Sequence, residues 1–291
     1  MALCGGPLRT KQLTQRALGV SPRSVYRCLR RLDALGLIER RTEVGVQNMT
    51  LIRLSEGGAR DLARLLRIFT SASLPPGRIG ESANWLSLLG GLWREGFVEE
   101  LSHGPRSLDE LAAAAHPLTY HQVKRRASLA LAAGLLGRRP REGNTWHYEL
   151  TAQGRRSLTL VCGAGRWRRH FLGGGSAGLD TGEMATVLRA ALPLARLPEH
   201  KGMRIELAVA GPPNLYGYRE TTKVRGEVRR DGTLGLGRQD QAPADSLAAA
   251  TINIWMVALL DDKRGRIRVR CDSGLVDACL KRLYKALFPG I

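Results

Sequence analysis

Residues 21–41 read SPRSVYRCLRRLDALGLIERR, and this stretch determines the fold that the flanking sequence completes. Ser21-Pro22 forms a helix N-cap followed by proline at the first helical position, and Gly36 supplies a C-cap. A helix is therefore predicted over residues 22–35. The residues after the glycine are typical of a strand, which we expect at residues 37–42.

The flanking residues add a helix before this stretch and a strand after it. Residues 10–18 are predicted to form a short helix that ends at the turn Gly19-Val20. Residues 49–54 alternate as a returning strand, and residues 43–48, which contain Gly45, form the hairpin tip between the strands. The predicted order is helix, turn, helix and two-stranded wing.

The same pattern occurs again about 98 residues later. An offset of 98 aligns residues 6–41 with residues 104–139 without a gap, and an offset of 96 aligns residues 54–62 with residues 150–158. The change of two residues falls at the hairpin tip. Because this period is far longer than that of a solenoid repeat, it indicates two copies of a whole small domain.

The two copies differ in what precedes them. A first helix predicted over residues 84–102 of copy two has its counterpart at positions before Met1. Copy one then lacks most of this helix. Three explanations stay open: copy two covers the gap, a second subunit covers it, or the start codon lies upstream.

Composition and charge restrict the classes of function. The chain has 291 residues, enough for two or three domains, with 43% hydrophobic and 24% charged residues, as in ordinary globular proteins. The five cysteines include no CxxC pair, so we expect neither a disulfide framework nor a metal site.

The longest apolar run, residues 247–260, is shorter than the roughly 20 residues that span a bilayer. Without a secretory signal at the start, we expect a cytoplasmic protein with no membrane partner.

The net charge of +19 favours a polyanionic partner, and its distribution is uneven. Residues 1–171 carry 27 Lys or Arg against 13 Asp or Glu, whereas residues 172–291 carry 18 against 13. Only 7 of the 45 basic residues are lysine, a bias that genome base composition also produces. The basic footprint therefore lies in the two copies, but the abundance of arginine is no evidence for base contacts.

Specific motifs resemble the winged helix of MarR-type and HxlR-type bacterial regulators. They are GPLRTKQL at residues 6–13, SVYRCLRRLDALGLIERR at residues 24–41 and, closest to the HxlR pattern, YELTAQG at residues 148–154. The resemblance covers about residues 6–171. It implies an α+β protein with winged helix-turn-helix domains in tandem at residues 1–72 and 80–171, homodimer formation and double-stranded DNA as the partner.

Helical periodicity and this resemblance together assign the DNA contacts. One side of the second helix carries Val25, Cys28, Leu29 and Leu32, and the opposite arc carries basic residues suited to the major groove. In copy one the predicted contacts are Arg23, Ser24, Tyr26, Arg27 and Arg30, with Arg40, Arg41 and Arg53 on the wing. In copy two they are His121, Gln122, Lys124 and Arg125, with Arg138 and Arg139 on the wing. The alternative is a solvated helix face. The cluster of Arg166, Arg168 and Arg169 around Trp167 is assigned either to a dimer interface or to phosphate contact.

A glycine-rich linker at residues 172–179 precedes a third predicted domain, residues 180–291. Helices are expected at residues 181–194, 246–260 and 275–288, and strands at residues 203–210, 223–229, 233–236 and 267–271. This order is similar to the sterol-carrier-protein-like fold. The similarity implies an apolar tunnel for a small apolar effector, lined by Ile252, Trp255 and Met256. The alternatives are that these are plain core residues, or that the domain only dimerises.

Enzyme constellations are missing from the sequence, which has no Walker loop, GxSxG, HExxH or metal-ligand spacing of histidines. We therefore expect no catalytic residue and no cofactor. The sequence predicts a sequence-specific transcription regulator that binds double-stranded DNA and responds to an apolar effector. The alternative is an architectural, chromosome-partition or replication-linked tandem winged-helix protein without an effector, and a ligand-sized hollow in the third domain would discriminate between them.

Overall fold

A computed structural model shows that the chain is α+β, as predicted, and that it divides into two compact units, Met1–Arg67 and Ile68–Ile291. The residues described below are 6–16, 21–34, 36–43, 49–59, 88–93, 95–141, 145–171, 179–213, 219–237, 243–261 and 265–288. The division into three domains, with a boundary at residues 172–179, stays a prediction.

In its described residues, the first unit contains two helices, a further helical segment at residues 56–59 and a three-stranded antiparallel sheet. Helices α1 (Thr10–Arg16) and α2 (Pro22–Ala34) are followed by strands β2 (Ile38–Glu43) and β3 (Met49–Leu54). The short strand β1 (Leu8–Arg9) pairs with β3, so the strand order is β1-β3-β2. The second helix and the returning strand are confirmed, while residues 44–48 of the predicted tip lie outside the described residues. The core consists of Leu8, Leu13, Val25, Leu29, Ile38 and Ile52.

In the second unit, two helical segments precede copy two of the repeat. Residues 88–93 are helical, and helix α3 (Phe97–Ser102) follows them after a turn. The prediction of one helix over residues 84–102 is wrong in this respect, because Gly96 adopts a left-handed backbone with φ of 78° that interrupts the helix. The redirected helix α3 buries Phe97, Val98 and Leu101 in the core.

The repeat itself is confirmed, since the corresponding elements of the two copies are equal in length. Four elements start and end 98 residues after their counterparts: β4 (Arg106–Ser107), α4 (Leu108–Ala114), α5 (Tyr120–Ala132) and β5 (Leu136–Arg141). Strand β6 (Thr145–Leu150) lies 96 residues after β3, and the strand order β4-β6-β5 matches that of the first unit. The hairpin registers also correspond, because Ile38 pairs with Leu54 and Leu136 pairs with Leu150.

In copy two, the hydroxyl of Thr151 connects the end of α5 to the start of helix α6 (Ala152–Phe171). It donates a hydrogen bond to the Gly134 carbonyl at 2.6 Å and accepts one from the Gly154 amide at 2.9 Å. Gly134 has a φ of 70°, and the amide of Leu135 donates back to the Ala130 carbonyl, a left-handed helix end. One side chain thus satisfies backbone groups at two helix ends.

Copy one has the same arrangement. The Ser55 hydroxyl donates to the Gly36 carbonyl at 2.7 Å and accepts from the Gly58 amide at 3.0 Å, and Gly36 has a φ of 66°. A Cβ atom on Gly58 would lie 2.1 Å from the Leu37 carbonyl oxygen, and one on Gly154 would lie 2.2 Å from the corresponding oxygen of Leu135. Both copies therefore require glycine three residues after the hydroxyl.

In its described residues, the rest of the second unit consists of a five-stranded sheet, three α-helices and two short 3₁₀ helices, Leu192–Leu194 and Pro198–His200. The elements are α7 (Thr181–Ala191), β7 (Arg204–Pro213), β8 (Arg219–Val228), β9 (Leu234–Leu236), β10 (Ser246–Thr251), α8 (Ile252–Asp261), β11 (Arg268–Cys271) and α9 (Ser273–Leu287). The strand order is β11-β10-β7-β8-β9, and only β10 and β7 are parallel among these neighbours. The predicted hairpin turn before β9 is confirmed at Gly232, which has a φ of 79°.

The predicted helix over residues 246–260 is wrong for its first six residues. Ser246–Thr251 form β10 in the interior of the sheet, and the helix begins only at Ile252. The alanines of this stretch favour a helix intrinsically, but hydrogen bonding to β7 and β11 on both sides outweighs that preference. Among the helices of the described residues, none is long and apolar enough to cross a membrane.

Copy two and the C-terminal sheet belong to one compact unit, and two arginines connect them. Arg155 donates a hydrogen bond to the Ala190 carbonyl in the last turn of α7 at 2.9 Å, and Arg156 donates to the Ala286 carbonyl in the last turn of α9 at 3.0 Å. Burial lowers the pKa of Arg155. Both guanidinium groups lie where cations stabilise a helix end.

We predict that Gly154→Ala destabilises the protein, because the added Cβ meets a backbone oxygen that the hairpin holds in place. Overpacking of this kind typically costs about 1–3 kcal/mol of the free energy of unfolding. Urea unfolding followed by circular dichroism measures the change. Gly90→Ala is the matched control, since its Cβ would meet nothing within 4 Å in a helical segment and alanine is the better helix former. Equal stability of Gly154→Ala and the parent would contradict the packing described.

Candidate nucleic-acid interface

Helix α2 presents two chemically different faces because of its residue spacing. Val25 and Leu29 are buried against the sheet, whereas Tyr26 on the opposite side is 52% exposed. The Ser21 hydroxyl accepts a hydrogen bond from the Ser24 amide at 3.3 Å and caps the N-terminus. The helix is therefore anchored on its apolar side and open on the other.

The outer face of α2 carries arginines that form no ion pair with another described residue. Arg23, Arg27 and Arg30 are exposed, and none of them forms an ion pair within the described part of the first unit. Arg31, which the sequence analysis did not select, is also exposed in the last turn. Unpaired guanidinium groups on a fixed helix are available for guanine edges or phosphates.

The hairpin of copy one is different, because two of its three predicted contacts are already engaged. Arg40 forms an ion pair with Asp33 at 2.7 Å, and Arg53 forms one with Glu39 at 2.6 Å. Arg41 is exposed and makes no ion pair with a described residue. We therefore expect Arg41 to provide the stronger attraction for phosphate on this hairpin.

Strand pairing in the first unit places one further arginine, Arg9, on the same sheet face as the predicted contact Arg41. Strand β1 pairs Arg9 with Leu51, and Leu51 pairs with Arg41, so the two arginines lie on one face of the sheet, two strands apart. Arg9 is exposed. The two-residue strand β1 is too short to be predicted from alternation, and only its pairing with β3 reveals this position.

Helix α5 of copy two is capped more firmly but is less basic on its outer face. Thr119 and Gln122 form a capping box, in which the Gln122 side-chain oxygen accepts from the Thr119 amide at 2.8 Å. The predicted contact Gln122 is thus held at the helix start. His121, Lys124 and Arg125 are exposed, in agreement with an outward-facing position but not with a dense arginine face.

One basic residue of α5 has a structural role. Arg126 forms an ion pair with Glu95 at 2.6 Å, and Glu95 lies in the turn before α3. The aligned residue of copy one, Cys28, is exposed, although the sequence placed it on the apolar side of α2. That prediction is wrong because Cys28 lies at the margin of the buried face, next to Val25 and Leu29.

The hairpin of copy two carries an aromatic side chain that the sequence analysis did not select. Trp146 is 43% exposed, and the Arg138 guanidinium stacks over its ring at 4.5 Å. Arg139 forms an ion pair with Glu149 at 2.5 Å. A stacked arginine is pre-oriented and keeps its hydrogen-bond donors available at the ring edge.

The predicted effector residues lie in the interior of the second unit. Ile252, Trp255 and Met256 are 4%, 0% and 0% exposed and belong to its main hydrophobic core. The Trp255 indole donates to the Ala208 carbonyl at 3.0 Å. This arrangement matches the core-residue alternative. The side chains of Arg166, Trp167, Arg168 and Arg169 lie outside the described residues.

We predict that Trp255→Phe lowers the free energy of unfolding by about 1–3 kcal/mol, because it removes a buried hydrogen bond and leaves a void. Trp146→Phe is the control, since Trp146 is partly exposed and its substitution should change stability little. Both variants are compared by urea unfolding. If Trp255→Phe were as stable as the parent, the residue would not support the core, and a ligand-lining role would gain weight.

Comparison with known proteins adds no assignment for this surface: no family model and no curated protein sequence matches the chain.

Proposed function

We propose that this chain binds double-stranded DNA through two winged-helix domains in tandem and regulates transcription as a bacterial homodimer in the cytoplasm. Each copy has the element order of that fold: a helix, a second helix and a hairpin that pairs with a short first strand. In this proposal the second helix of each copy enters the major groove, and the hairpins follow the backbone. The activity is binding and needs no cofactor.

The observation that carries the proposal is the free arginine face of α2. Arg23, Arg27 and Arg30 are exposed without an ion pair among the described residues, while Val25 and Leu29 anchor the other side of the helix. Elsewhere in the same unit, Arg40 and Arg53 are neutralised by carboxylates. A helix that leaves three arginines unpaired maintains a strong local positive charge, which suits a polyanion.

The two copies are proposed to divide the work. Copy one provides arginines for bidentate contact with guanine, whereas copy two provides His121, Lys124 and Arg125, which suit phosphate contact and groove tracking. Copy one would therefore dominate sequence preference, and copy two would contribute mainly to affinity.

For the C-terminal part we propose a sterol-carrier-like domain that dimerises or binds an effector. The observed order is helix, three strands, a fourth strand beside the first, helix, strand and helix. An apolar effector would have to displace part of the packing around Trp255 and Met256, since both are fully buried. Dimerisation alone requires no such change.

An architectural or replication-linked role is the second candidate. It is favoured by the outer face of α5, where Gln122 is held in the capping box and the exposed cations suit backbone contact. A protein that relied on this face would bind duplexes of any sequence. Sequence preference therefore separates the two candidates.

We predict a steep salt dependence and a clear sequence preference. Fluorescence anisotropy compares the upstream intergenic duplex of the gene with a scrambled duplex across a salt series. A regulator should prefer its site by roughly 10³-fold or more, with log affinity falling by about 0.9 per neutralised phosphate for each log unit of salt. Arg23→Ala and Arg27→Ala should each cost about 1–3 kcal/mol at the preferred site and much less on scrambled DNA.

The matched control is Arg282→Ala with Lys285→Ala, which removes two exposed charges from α9. It should leave the sequence preference unchanged. A steep salt dependence without preference for the intergenic sequence would favour the architectural role. Absence of binding even at low salt would refute DNA binding altogether.

A further inference from the structure

The C-terminal sheet has one covered face and one open face. On the covered face, Ile205, Leu207 and Val224 are 0–1% exposed beneath the helices. Their neighbours on the opposite face include Lys223, whose side chain is 56% exposed, and Arg225, at 27%. Within the described residues, this open face is therefore available to a partner.

Two of the rungs that strand register forms on the open face have basic ends. One rung runs across four strands from Arg270 through Leu247 and Glu206 to Arg225. The next runs from Arg268 through Ala249 and Ala208 to Lys223. Each rung begins with an arginine of the edge strand β11 and ends with a basic residue of β8.

The single carboxylate on these rungs is already neutralised. Glu206 is 5% exposed. Its carboxylate forms one ion pair with Lys223 at 2.8 Å and another with Arg225 at 2.7 Å. Burial raises its pKa, but the hydrogen bonds from these two cations outweigh that effect and lower it overall. Arg268 and Arg270 are exposed and have no ion-pair partner in the described part of the chain. The two rungs therefore present a net positive charge.

We propose that this open face, defined by Lys223, Arg225, Arg268 and Arg270, is a further binding surface for the phosphate backbone of duplex DNA. The inference rests on the proposed function and extends DNA binding to the C-terminal part. This part has a smaller excess of basic residues than residues 1–171. The two basic columns lie three strands apart, roughly 14 Å from sheet geometry, of the same order as the approximately 12 Å major groove. They suit phosphates on either side of a groove.

Charge and polarity favour DNA over other occupants. A second copy of the same face would place like charges opposite each other, which is unfavourable. An anionic membrane is bound more stably when apolar side chains insert, but the large exposed apolar residues of the described chain are Tyr26, Tyr120, Leu129 and Trp146, all in the two repeat copies. Long-range attraction to a polyanionic duplex requires no such insertion.

The test is the triple variant Lys223→Gln, Arg268→Gln and Arg270→Gln of the full chain, measured on specific and scrambled duplexes across a salt series. Arg225 is retained so that Glu206 keeps a cationic partner. The plot of log affinity against log salt should become shallower by about 2–3, since about 0.9 is lost per phosphate contact. Affinity at low salt should fall about 10-fold or more on both duplexes, while the ratio between them stays constant because phosphate contacts carry no sequence information.

The matched control is Lys201→Gln, Lys281→Gln and Lys285→Gln, which removes the same charge from exposed positions outside the open face. An equal loss in this control would overturn the inference, because net charge alone would explain it. An unchanged salt slope in the Lys223, Arg268 and Arg270 variant would also overturn it while leaving the proposed function intact. Loss of binding only to phosphatidylserine vesicles would overturn it in favour of a membrane. Failure of the parent to bind DNA would instead refute the proposed function.

Discussion

The hydroxyl groups of Ser55 and Thr151 fix the geometry on which the rest of each copy depends. Each connects the left-handed glycine that ends one helix to the first turn of the next helix. The paired strands and this bridge together hold α2 and α5 from the side opposite their exposed faces. Because the backbone positions α2, its outer arginines Arg23, Arg27 and Arg30 are not needed to hold it and have no ion-pair partner among the described residues.

In copy two this constraint extends into the C-terminal part. Thr151 and Gly154 set the start of α6, and the next two residues, Arg155 and Arg156, donate to the last turns of α7 and α9. The two hydrogen bonds place cations at helix C-termini, where they are favourable. Any effector of the C-terminal part would influence α5 only if it bound two arrangements of this junction with different affinities.

Local sequence signals predicted the repeat, α2, β3 and the turn at Gly232, because caps, glycines and apolar spacing act over a few residues. They failed for Ser246–Thr251, where pairing with strands distant in sequence outweighs the helical preference of alanine. They failed also at Gly96, since a glycine within an apolar pattern does not reveal its backbone conformation. Among the predicted contacts, sequence identified exposed cations such as Arg23 but could not show that Arg40 and Arg53 are paired.

The distinction between paired and unpaired cations matters more for binding than the net charge of +19. Arg126 and Arg139 contribute to that total, yet both form ion pairs with carboxylates, so their contribution to the free energy of phosphate binding is small. Arg23, Arg27, Arg268 and Arg270 have no such partner among the described residues. The positive charges of unpaired arginines repel each other in the free protein, and a bound polyanion relieves this repulsion. The distribution of neutralised charge therefore separates surfaces suited to an anionic partner from those that only stabilise the fold.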